Sequence, residues 1–589
     1  MKTPSGILIA VLILTSCAPD REPGAAESAP PPNIVLIITD DQGYGDLGFH
    51  GNPDIQTPVL DSLARRSTRF PFFYVSPVCA PTRSSLMTGR YSLRTGIWDT
   101  YNGGAMMATE ETTLAERLQN AGYTTGIFGK WHLGDTYPFR PNDQGFTESL
   151  IHPSGGMGQV GDVHNYFEYD RSYFDPTLLR NGEPVETQGY CSDVFTDGAL
   201  DFVEANQDRP FFLYLSFNAP HTPLQLPEAY EQQYADLTFD PARYQQQGRP
   251  LPEMSERDRD DARRIYGMVS NIDDNVGRVW NRLERLNLTD NTLIIFMTDN
   301  GPQQRRYTGG LRGRKSSVYE GGIRVPFFMH WPGRLPEDHD VGVYAAHLDL
   351  VPTLSQVAHF PPPDDLDGHN LMPAIEGAPV AWAARPLFFY WQRGIPEPYR
   401  NVAVRKGPYK LVGHTGPEAM TENFELFDIA SDPYEQTNLN QTHPDVVADL
   451  KQTFDAWFEE TLRSPHLGIQ RIRLGTAHEN PVILNRNDAK GTRGMWAQER
   501  IYGYWDVAVE EAGRYDVTFR FERKLPGEGQ MTLKVGTTQR SLVNADTTTT
   551  VLKMTNVPLP AGDHMFESWY WYRGGSYLPF YVEVERKSG

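Results

Sequence analysis

The sequence predicts an α/β domain followed by an all-β sandwich, and three observations lead to that prediction. Between residues 33 and 463, short apolar runs rich in β-branched residues alternate with segments of helical periodicity. Each of these runs ends in polar residues, as expected where parallel strands end at a common ligand-binding edge. Beyond residue 464 the apolar period becomes two, which is typical of half-buried strands.

The composition indicates a globular protein that carries a large negative charge. Of 589 residues, 54 are Lys or Arg and 75 are Asp or Glu, which gives a formal net charge of −21. The 39% of apolar residues is sufficient for sizeable cores and excludes global disorder. Binding along a nucleic acid requires clustered Lys and Arg, so we expect no nucleic-acid partner. An anionic substrate would require a local basic pocket.

The N-terminal segment is predicted to direct export. An apolar run from Ile7 to Leu14 follows Lys2 and is too short to span a bilayer, but it fits the central part of a signal peptide. The sequence Leu14-Thr15-Ser16-Cys17 resembles a bacterial lipobox. The resemblance implies a signal peptide over residues 1–16, a lipid anchor on Cys17 and a disordered tether over 17–32; an ordinary secretion signal is the alternative. We expect a protein anchored by lipid in a bacterial envelope, in the outer membrane or periplasm, with no other membrane contact.

Four predicted strands of the α/β domain lead directly into polar side chains. Their continuous apolar character favours strands that are buried on both faces of a mainly parallel sheet. A clear helical period over residues 265–286 precedes the last of them. We therefore expect the polar stretches to converge on one site. The strands and the residues that follow them are Asn33–Thr39 with Asp40 and Asp41, Thr124–Phe128 with Gly129–Gly134, Phe211–Phe217 with Asn218–His221, and Thr292–Met297 with Thr298–Gly301.

Two further units are predicted towards the C-terminus. Residues 386–463 contain two strand-like segments and a helical stretch, Val446–Leu462, and are expected to complete the first domain as an α+β subdomain. Residues 465–589 are predicted to form a separate β-sandwich, because alternating strands are separated by turns. The run Trp569–Tyr572 could stack on sugar rings, although packing in a core or interface is the commoner role of such a run.

A cysteine motif near the N-terminus resembles the maturation signature of type I sulfatases. The motif is Cys79-Ala80-Pro81-Thr82-Arg83, followed by Gly89, with Thr82 in place of the serine that many members carry. A lone cysteine would more often be a small core residue. The resemblance implies that Cys79 is oxidised to formylglycine (3-oxoalanine) by a formylglycine-generating maturation enzyme. It also implies the mixed sheet flanked by helices of arylsulfatases and of the alkaline phosphatase superfamily.

The resemblance covers most of residues 33–463, which we expect to be the sulfatase domain. Asp40 and Asp41 look like the first metal-binding pair of the family, and Asp299 and Asn300 look like the second, with the modified Cys79 as a further ligand. Carboxylate and amide oxygens of this kind suit calcium. Asp40 and Asp41 alone would be read as a turn or helix cap. Three other stretches match family blocks: Gly129–Gly134, Asn218–His221 and Gly310–Lys315.

The resemblance also assigns chemical roles. The hydrated aldehyde made from Cys79 attacks sulfur, and a sugar alcohol departs. His221 is expected to protonate that alcohol, with Lys315 as a second proton donor, while His132 helps the remaining hydroxyl to expel sulfate. Fixed positive charge around the sulfuryl group is expected from Arg83, Lys130 and Lys315.

The sequence therefore predicts a calcium-dependent sulfatase that acts on a sulfated carbohydrate, with ulvan, carrageenan or their oligosaccharides as expected substrates. Specificity is expected to depend on the loops at 101–107, 152–164 and 391–400. Two alternatives remain open: a phosphomonoester or phosphonate hydrolase of the same superfamily, which would release phosphate faster than sulfate, and a catalytically inactive glycan-binding surface lipoprotein. The positive charge that a polyanion needs on its approach is expected from Arg305, Arg306, Arg312 and Arg314.

Overall fold

The computed structural model describes residue 1 and residues 31–244, 247–492 and 498–587. Apart from residue 1, the predicted signal peptide lies outside the described residues, as do Cys17 and nearly all of the predicted tether. Within the described ranges, no helix combines the length and the apolar composition needed to cross a bilayer.

The described residues before 464 contain sixteen strands and ten α-helices, which are numbered in chain order. The strands are β1 (Asn33–Thr39), β2 (Thr68–Arg69), β3 (Phe73–Tyr74), β4 (Thr124–Lys130), β5 (Glu148–His152), β6 (Thr177–Arg180), β7 (Glu183–Glu186), β8 (Phe211–Ser216), β9 (Thr292–Thr298), β10 (Phe327–His330), β11 (His339–Asp340), β12 (Ala345–Ala346), β13 (Leu387–Tyr390), β14 (Val402–Lys406), β15 (Tyr409–Gly413) and β16 (Glu425–Asp428). The helices are α1 (Pro58–Arg65), α2 (Cys79–Thr88), α3 (Leu114–Asn120), α4 (Cys191–Ala205), α5 (Glu228–Tyr234), α6 (Glu256–Arg285), α7 (Glu320–Ile323), α8 (Leu350–Val357), α9 (Met372–Ile375) and α10 (Pro444–Thr461).

A ten-stranded sheet in the order β11-β2-β10-β9-β1-β8-β4-β5-β6-β7 forms the centre of this part. The five middle strands, from β9 to β5, are parallel. β10, β6 and β7 are antiparallel to their neighbours, and only Asn181 and Gly182 connect β6 to β7, both with positive φ as a tight hairpin turn requires. The predicted fold class, a mixed sheet flanked by helices with further β-structure at the C-terminus, is confirmed.

Apolar side chains cover both faces of the central sheet. In β1, Ile34, Leu36 and Ile38 pack in one hydrophobic cluster, while Val35 and Ile37 pack in another on the opposite face. Side chains of α2, α3 and α8 belong to the first cluster, and those of α1, α4 and α6 belong to the second. Because both faces are covered, polar groups of the middle strands can emerge only at the strand ends.

The antiparallel sheet β13-β14-β15-β16 follows, and α10 packs against it. The predicted helix Val446–Leu462 corresponds to α10 within two residues. Cys191 is buried at the start of α4, where it forms no disulfide and its Sγ lies 3.5 Å from Asn218 Oδ1.

Beyond residue 464 the described chain forms two packed sheets that are antiparallel except for one parallel pair, Ile472–Leu474 with Gly503–Val509. They have the strand orders β17-β20-β25-β22-β23, with β19 and β26 at the side, and β18-β27-β21-β24. Tyr570 lies in the core between them, whereas Trp571 is 49% exposed. The strands are β17 (Ile472–Leu474), β18 (Val482–Asn485), β19 (Lys490–Gly491), β20 (Gly503–Val509), β21 (Gly513–Arg520), β22 (Gly529–Val535), β23 (Thr538–Asn544), β24 (Val551–Leu559), β25 (Gly562–Tyr572), β26 (Gly575–Tyr577) and β27 (Tyr581–Arg586).

These C-terminal sheets pack directly against the α/β part. Met106 and Phe139 of the α/β part belong to the same hydrophobic cluster as the sandwich core. The backbone N–H of Tyr137 donates to Glu479 at 2.6 Å, and the Tyr137 ring stacks on His478 at a centroid distance of 4.4 Å. The sandwich is therefore in contact with the loops that follow β4.

Candidate active site

The four predicted polar stretches meet at one edge of the central sheet. Asp40 and Asp41 directly follow β1, Lys130 ends β4, and Asp299 and Asn300 directly follow β9. Asn218 and His221, in the loop after β8, are the fourth group. Because these strands are parallel and adjacent, their carboxyl ends lie at the same edge, which is where open α/β sheets place ligands.

Cys79 is the first residue of α2 and lies at the same edge. All ten residues of α2 are buried, and Cys79 itself is 3% exposed. The helix ends at Gly89, whose positive φ allows its N–H to bond the Ser85 carbonyl at 2.8 Å. Because Cys79 is the first residue of the helix, the partial positive charge of the helix N-terminus favours an anion beside it.

The acidic residues form a cluster that could hold a divalent cation. Ligand atoms of Asp40, Cys79 and Asp299 all lie within 4.8 Å of one another, and so do those of Asp40, Asp41 and His221. Oδ1 of Asp40, Oδ2 of Asp41 and Oδ1 of Asn300 are buried and accept no hydrogen bond from the described residues. Buried oxygens without partners are costly, and a cation would satisfy all three.

The electrostatics of the cluster agree with cation binding. Burial and the charge of Asp40 raise the pKa of Asp299 well above its usual range. Burial alone would also raise the pKa of Asp40, but the ammonium of Lys130 holds it below its usual range. Burial and the neighbouring Asp40 thus disfavour the ionised form of Asp299, and a divalent ion beside it would favour that form. The donor set fits calcium or another hard cation.

Three cationic side chains bridge the cluster. Lys130 contacts Asp40, Lys315 Nζ lies 2.6 Å from Asp41 Oδ1, and Arg83 Nη2 lies 2.8 Å from Asp299 Oδ2. Arg83 also donates to Ser216 Oγ at 2.6 Å and is 1% exposed. Arg83 is therefore a positioning residue that lies beneath the site and does not face the solvent. It is held by Ser216 at the end of β8 and by Asp299 just after β9.

The two predicted catalytic histidines each have one ring nitrogen occupied by a backbone carbonyl. His132 Nε2 lies 3.1 Å from the Thr100 carbonyl and so carries the hydrogen, which leaves Nδ1 as an acceptor with no partner among the described residues. His221 Nδ1 lies 2.8 Å from the Thr222 carbonyl, and its Nε2 faces Asp41 Oδ2 at 3.8 Å.

Both rings are uncharged at neutral pH. Burial, then Lys130, holds the pKa of His132 well below its usual range. Burial and Lys315 lower the pKa of His221 to about 4. By contrast, Lys315 keeps its proton, because Asp41 more than offsets the effect of burial and raises the pKa of the ammonium.

A cleft of about 520 Å³ opens above these groups. Of the predicted site residues, Cys79, His132, His221 and Lys315 line it, whereas Arg83, Lys130 and the acidic cluster lie beneath. Its charged lining consists of Arg314, Lys315 and Arg393, and among the described residues no carboxylate lines it. The cleft is therefore electropositive although the chain carries a net charge of −21.

The arginines expected to attract a polyanion are mostly engaged elsewhere, which corrects that expectation. Arg306 is 1% exposed and pairs with Asp46 at 2.7 Å. Arg312 lies 3.3 Å from Glu425 and stacks on Tyr319. Arg305 is exposed but does not line the cleft; only Arg314 does. Arg306 and Arg312 form ion pairs that hold their loop against the rest of the fold. The sequence pattern does not distinguish such buried or paired arginines from arginines that face a substrate.

Each of the three loops expected to control specificity contributes to the cleft. The loop at 101–107 contributes Tyr101 to the lining of the cleft, the loop at 152–164 contributes Gln159, and the loop at 391–400 contributes Arg393. The sandwich adds Asn487, for which the sequence carried no signal. The Asn487 carbonyl accepts a hydrogen bond at 2.8 Å from the backbone of Asn102, in the loop that also holds His132 through Thr100.

Comparison with known proteins agrees with this geometry. The family model for sulfatases matches residues 32–360, and the model for the C-terminal part of N-sulphoglucosamine sulphohydrolase matches residues 314–460. N-acetylgalactosamine-6-sulfatase of Canis lupus familiaris is 34% identical, over 62% of this chain and 70% of its own. Human arylsulfatase A is 33% identical, over 72% and 87%. The crystal structure of Ps i-CgsB with k-i-k-neocarrahexaose is 30% identical, with a TM-score of 0.63 over 75% and 95% of the chains.

The first of these models covers more than half of the chain, and human arylsulfatase A is matched over most of its length. The chain therefore belongs to the sulfatase family, within the alkaline phosphatase superfamily, and is a sulfuric ester hydrolase.

Proposed function

We propose that the protein is a calcium-dependent, formylglycine-containing sulfatase that removes sulfate from a sulfated carbohydrate, an algal polysaccharide of the ulvan or carrageenan type or its oligosaccharides. The observation that carries the proposal is the arrangement at Cys79. Unpartnered carboxylate and amide oxygens lie below it, and the charged side chains of the cleft above it are all cationic. Such a site stabilises a sulfate ester and the negative charge that develops as it breaks.

Asp40, Asp41, Asp299 and Asn300 would hold the calcium ion. Bound there, it would polarise the sulfate group and offset the negative charge that builds up in the transition state. Arg83 keeps Asp299 in place, Lys130 lowers the pKa of Asp40 and so keeps it ionised, and Lys315 holds the Asp41 side chain in position. These contacts explain why three buried cations surround an anionic cluster.

Formylglycine at position 79 would supply, in its hydrated form, one hydroxyl that attacks sulfur and a second that allows sulfate to be expelled. His132 is suited to accept the proton of the second hydroxyl, because Nδ1 is unprotonated while Nε2 is fixed by Thr100. Lys315 keeps its proton and lines the cleft, so it can donate to the departing sugar oxygen. His221 is uncharged above about pH 4 and keeps its one ring hydrogen on Nδ1, which faces the Thr222 carbonyl, so its Nε2 would accept a hydrogen bond in the site and would not protonate the departing oxygen.

Burial of Cys79 limits when the modification can occur. Every residue from Cys79 to Thr88 is buried, so a maturation enzyme can reach this segment only before the domain folds. We propose that a formylglycine-generating enzyme acts on the unfolded chain, and that the matured protein is exported and anchored through Cys17.

The test is sulfate and phosphate release by ion chromatography from ulvan and carrageenan oligosaccharides and from aryl sulfate and phosphate esters. The protein is loaded with calcium, and its conversion at Cys79 is verified by mass spectrometry. We expect sulfate from at least one glycan and less phosphate than sulfate throughout. Phosphate release above sulfate release, or binding of glycan without release of sulfate by fully converted protein, would contradict the proposal.

A further inference from the structure

Arg393 is held rigidly at the wall of the cleft. Its Nη1 donates to Asp99 Oδ1 at 2.8 Å and also contacts Thr100 Oγ1. The guanidinium carbon lies 4.4 Å from the ring centre of Tyr101 and 5.0 Å from that of Trp391. Two aromatic rings and one ion pair therefore fix the orientation of the guanidinium plane.

Asp99 serves to hold Arg393 and does not itself face the cleft. Asp99 has no exposed surface, and its carboxylate also accepts the backbone N–H groups of Gly394 at 2.9 Å and Thr100 at 2.7 Å. The carboxylate thus also joins the loop that carries Arg393 to the loop that carries Thr100. A buried anion with several donors is a positioning element and leaves the outer edge of the guanidinium to other partners.

Arg393 lines the cleft and has two nitrogens without a partner among the described residues. The side chain is 29% exposed and lines the same cavity as Cys79 and Lys315. Within the described part of the chain, its Nε and Nη2 atoms make no hydrogen bond, whereas Nη1 makes two. These two N–H groups are parallel, which is the arrangement that binds two oxygens of a carboxylate or sulfate.

The size and charge of the cleft allow for a second anion. A volume of about 520 Å³ can hold more than one sulfate group, as expected for a site that binds a sugar. With no carboxylate among its described lining residues, nothing in the wall would repel a second negative group. The described contacts of Arg393 are with Asp99, Thr100 and two aromatic rings, and none is with Cys79 or with the acidic cluster beneath it.

We propose that Arg393 binds a second anionic substituent of the substrate, a sulfate or a carboxylate, while the sulfate to be removed occupies the site at Cys79. This inference rests on the proposed function and narrows it: the preferred substrate is a sugar with two neighbouring anionic groups, and a singly sulfated sugar is a poorer ligand. Arg393 is thus a specificity-determining residue.

The test compares matched ligands in a background that cannot turn over, Cys79→Ala. Titration calorimetry measures the binding of neocarrabiose disulfate against its monosulfate, and of a sulfated ulvan disaccharide against its carboxyl-reduced form. The first pair probes a sulfate and the second a carboxylate. We expect the dianionic member of at least one pair to bind about 10- to 100-fold more tightly, the range of a charge-assisted bidentate pair.

Arg393→Ala should remove this preference, and Arg393→Lys should keep only part of it, because lysine has no fork of parallel donors. Arg400→Ala is the matched control: Arg400 lies in the same loop, pairs with Glu397 at 2.6 Å and does not line the cleft. The control should retain the full preference.

A kinetic measurement on converted enzyme with Cys79 intact complements the titration. Arg393→Ala should lower kcat/KM for the dianionic sugar at least about tenfold more than for an aryl sulfate. Equal losses on both substrates, or no Arg393-dependent preference in either ligand pair, would overturn the inference. An Arg393-dependent preference in binding, without sulfate release by fully converted enzyme, would support it and overturn the proposed function instead.

Discussion

The substitution Gly161→Ala tests whether the sandwich forms part of the working cleft. Gly161 has φ +103, and a Cβ built on it would lie 2.9 Å from Asn487 Cβ, closer than real Cβ atoms approach one another. Ordinary contact begins at 3.4 Å, so Asn487 or the loop must move by a few tenths of an ångström, and by about 0.5 Å to reach ordinary contact. Because Asn487 Cβ is next to the backbone, a rotamer change cannot relieve the contact.

Gly122→Ala is the matched control. Gly122 also has a positive φ, +90, but a Cβ there would have nothing within 4 Å. Both substitutions cost about 1–3 kcal/mol of backbone strain, so both should lower the melting temperature. Only Gly161→Ala displaces a cleft residue. Since a misplacement of about 1 Å can cost about a hundredfold in rate, a shift of half that size should lower kcat/KM about tenfold.

The assay is sulfate release from the glycan that the wild-type enzyme accepts, with melting temperatures recorded for all three proteins. Gly122→Ala should keep wild-type kcat/KM at a temperature where it is folded. If Gly161→Ala were equally active, or if both variants lost activity in proportion to stability, the sandwich would not shape the cleft and the reasoning would be refuted.

Three further predictions concern the same region. Cys79→Ala should abolish sulfate release and leave the melting temperature within a few degrees of the wild type, because Cys79 is 3% exposed but contributes only one sulfur atom; residual turnover would contradict a nucleophile at this position. Chelation of divalent ions should lower the melting temperature, and addition of calcium should restore it. Asp299→Asn should weaken this response. A melting temperature that does not change on chelation would argue against the metal site. Burial raises the pKa of Asp488, beside Asn487, from 3.8 to about 7. The contribution of the protonated Asp488 carboxyl to the free energy of unfolding is therefore fully present below about pH 4 and is lost as the pH rises through about 7. Asp488→Asn should raise the melting temperature at pH 8.5 by at least ~2 °C and have no such effect at pH 4.

The motif residues and the strands that lead into them could be predicted from the sequence. β1, β4, β8 and β9 occur where continuous apolar runs were found, since a strand covered on both faces has to be apolar throughout. Parallel strands bring their ends to one edge, so the convergence of Asp40, Lys130 and Asp299 followed from local pattern and topology alone. The family resemblance of the Cys79 motif supplied the chemistry.

Which of these residues are enclosed and which face the cleft could be learned only from the tertiary structure. A sequence shows that Arg83 and Lys315 are cationic but not that Arg83 is enclosed beneath Asp299 while Lys315 faces the cleft. Burial depends on all the elements packed around a side chain. For the same reason Arg306, predicted to attract substrate, is instead a buried partner of Asp46.

By itself, the sequence determined the fold class, the family and the residues that surround Cys79, because each depends on short contiguous patterns. Only the tertiary structure determined which residues form the wall of the cleft. There Asp99 orients Arg393, and the sandwich contributes Asn487. These contacts join residues 294 and more than 380 positions apart in the chain, and no local pattern encodes a contact made by two distant loops. The substrate preference that we propose for this wall would therefore depend on tertiary packing.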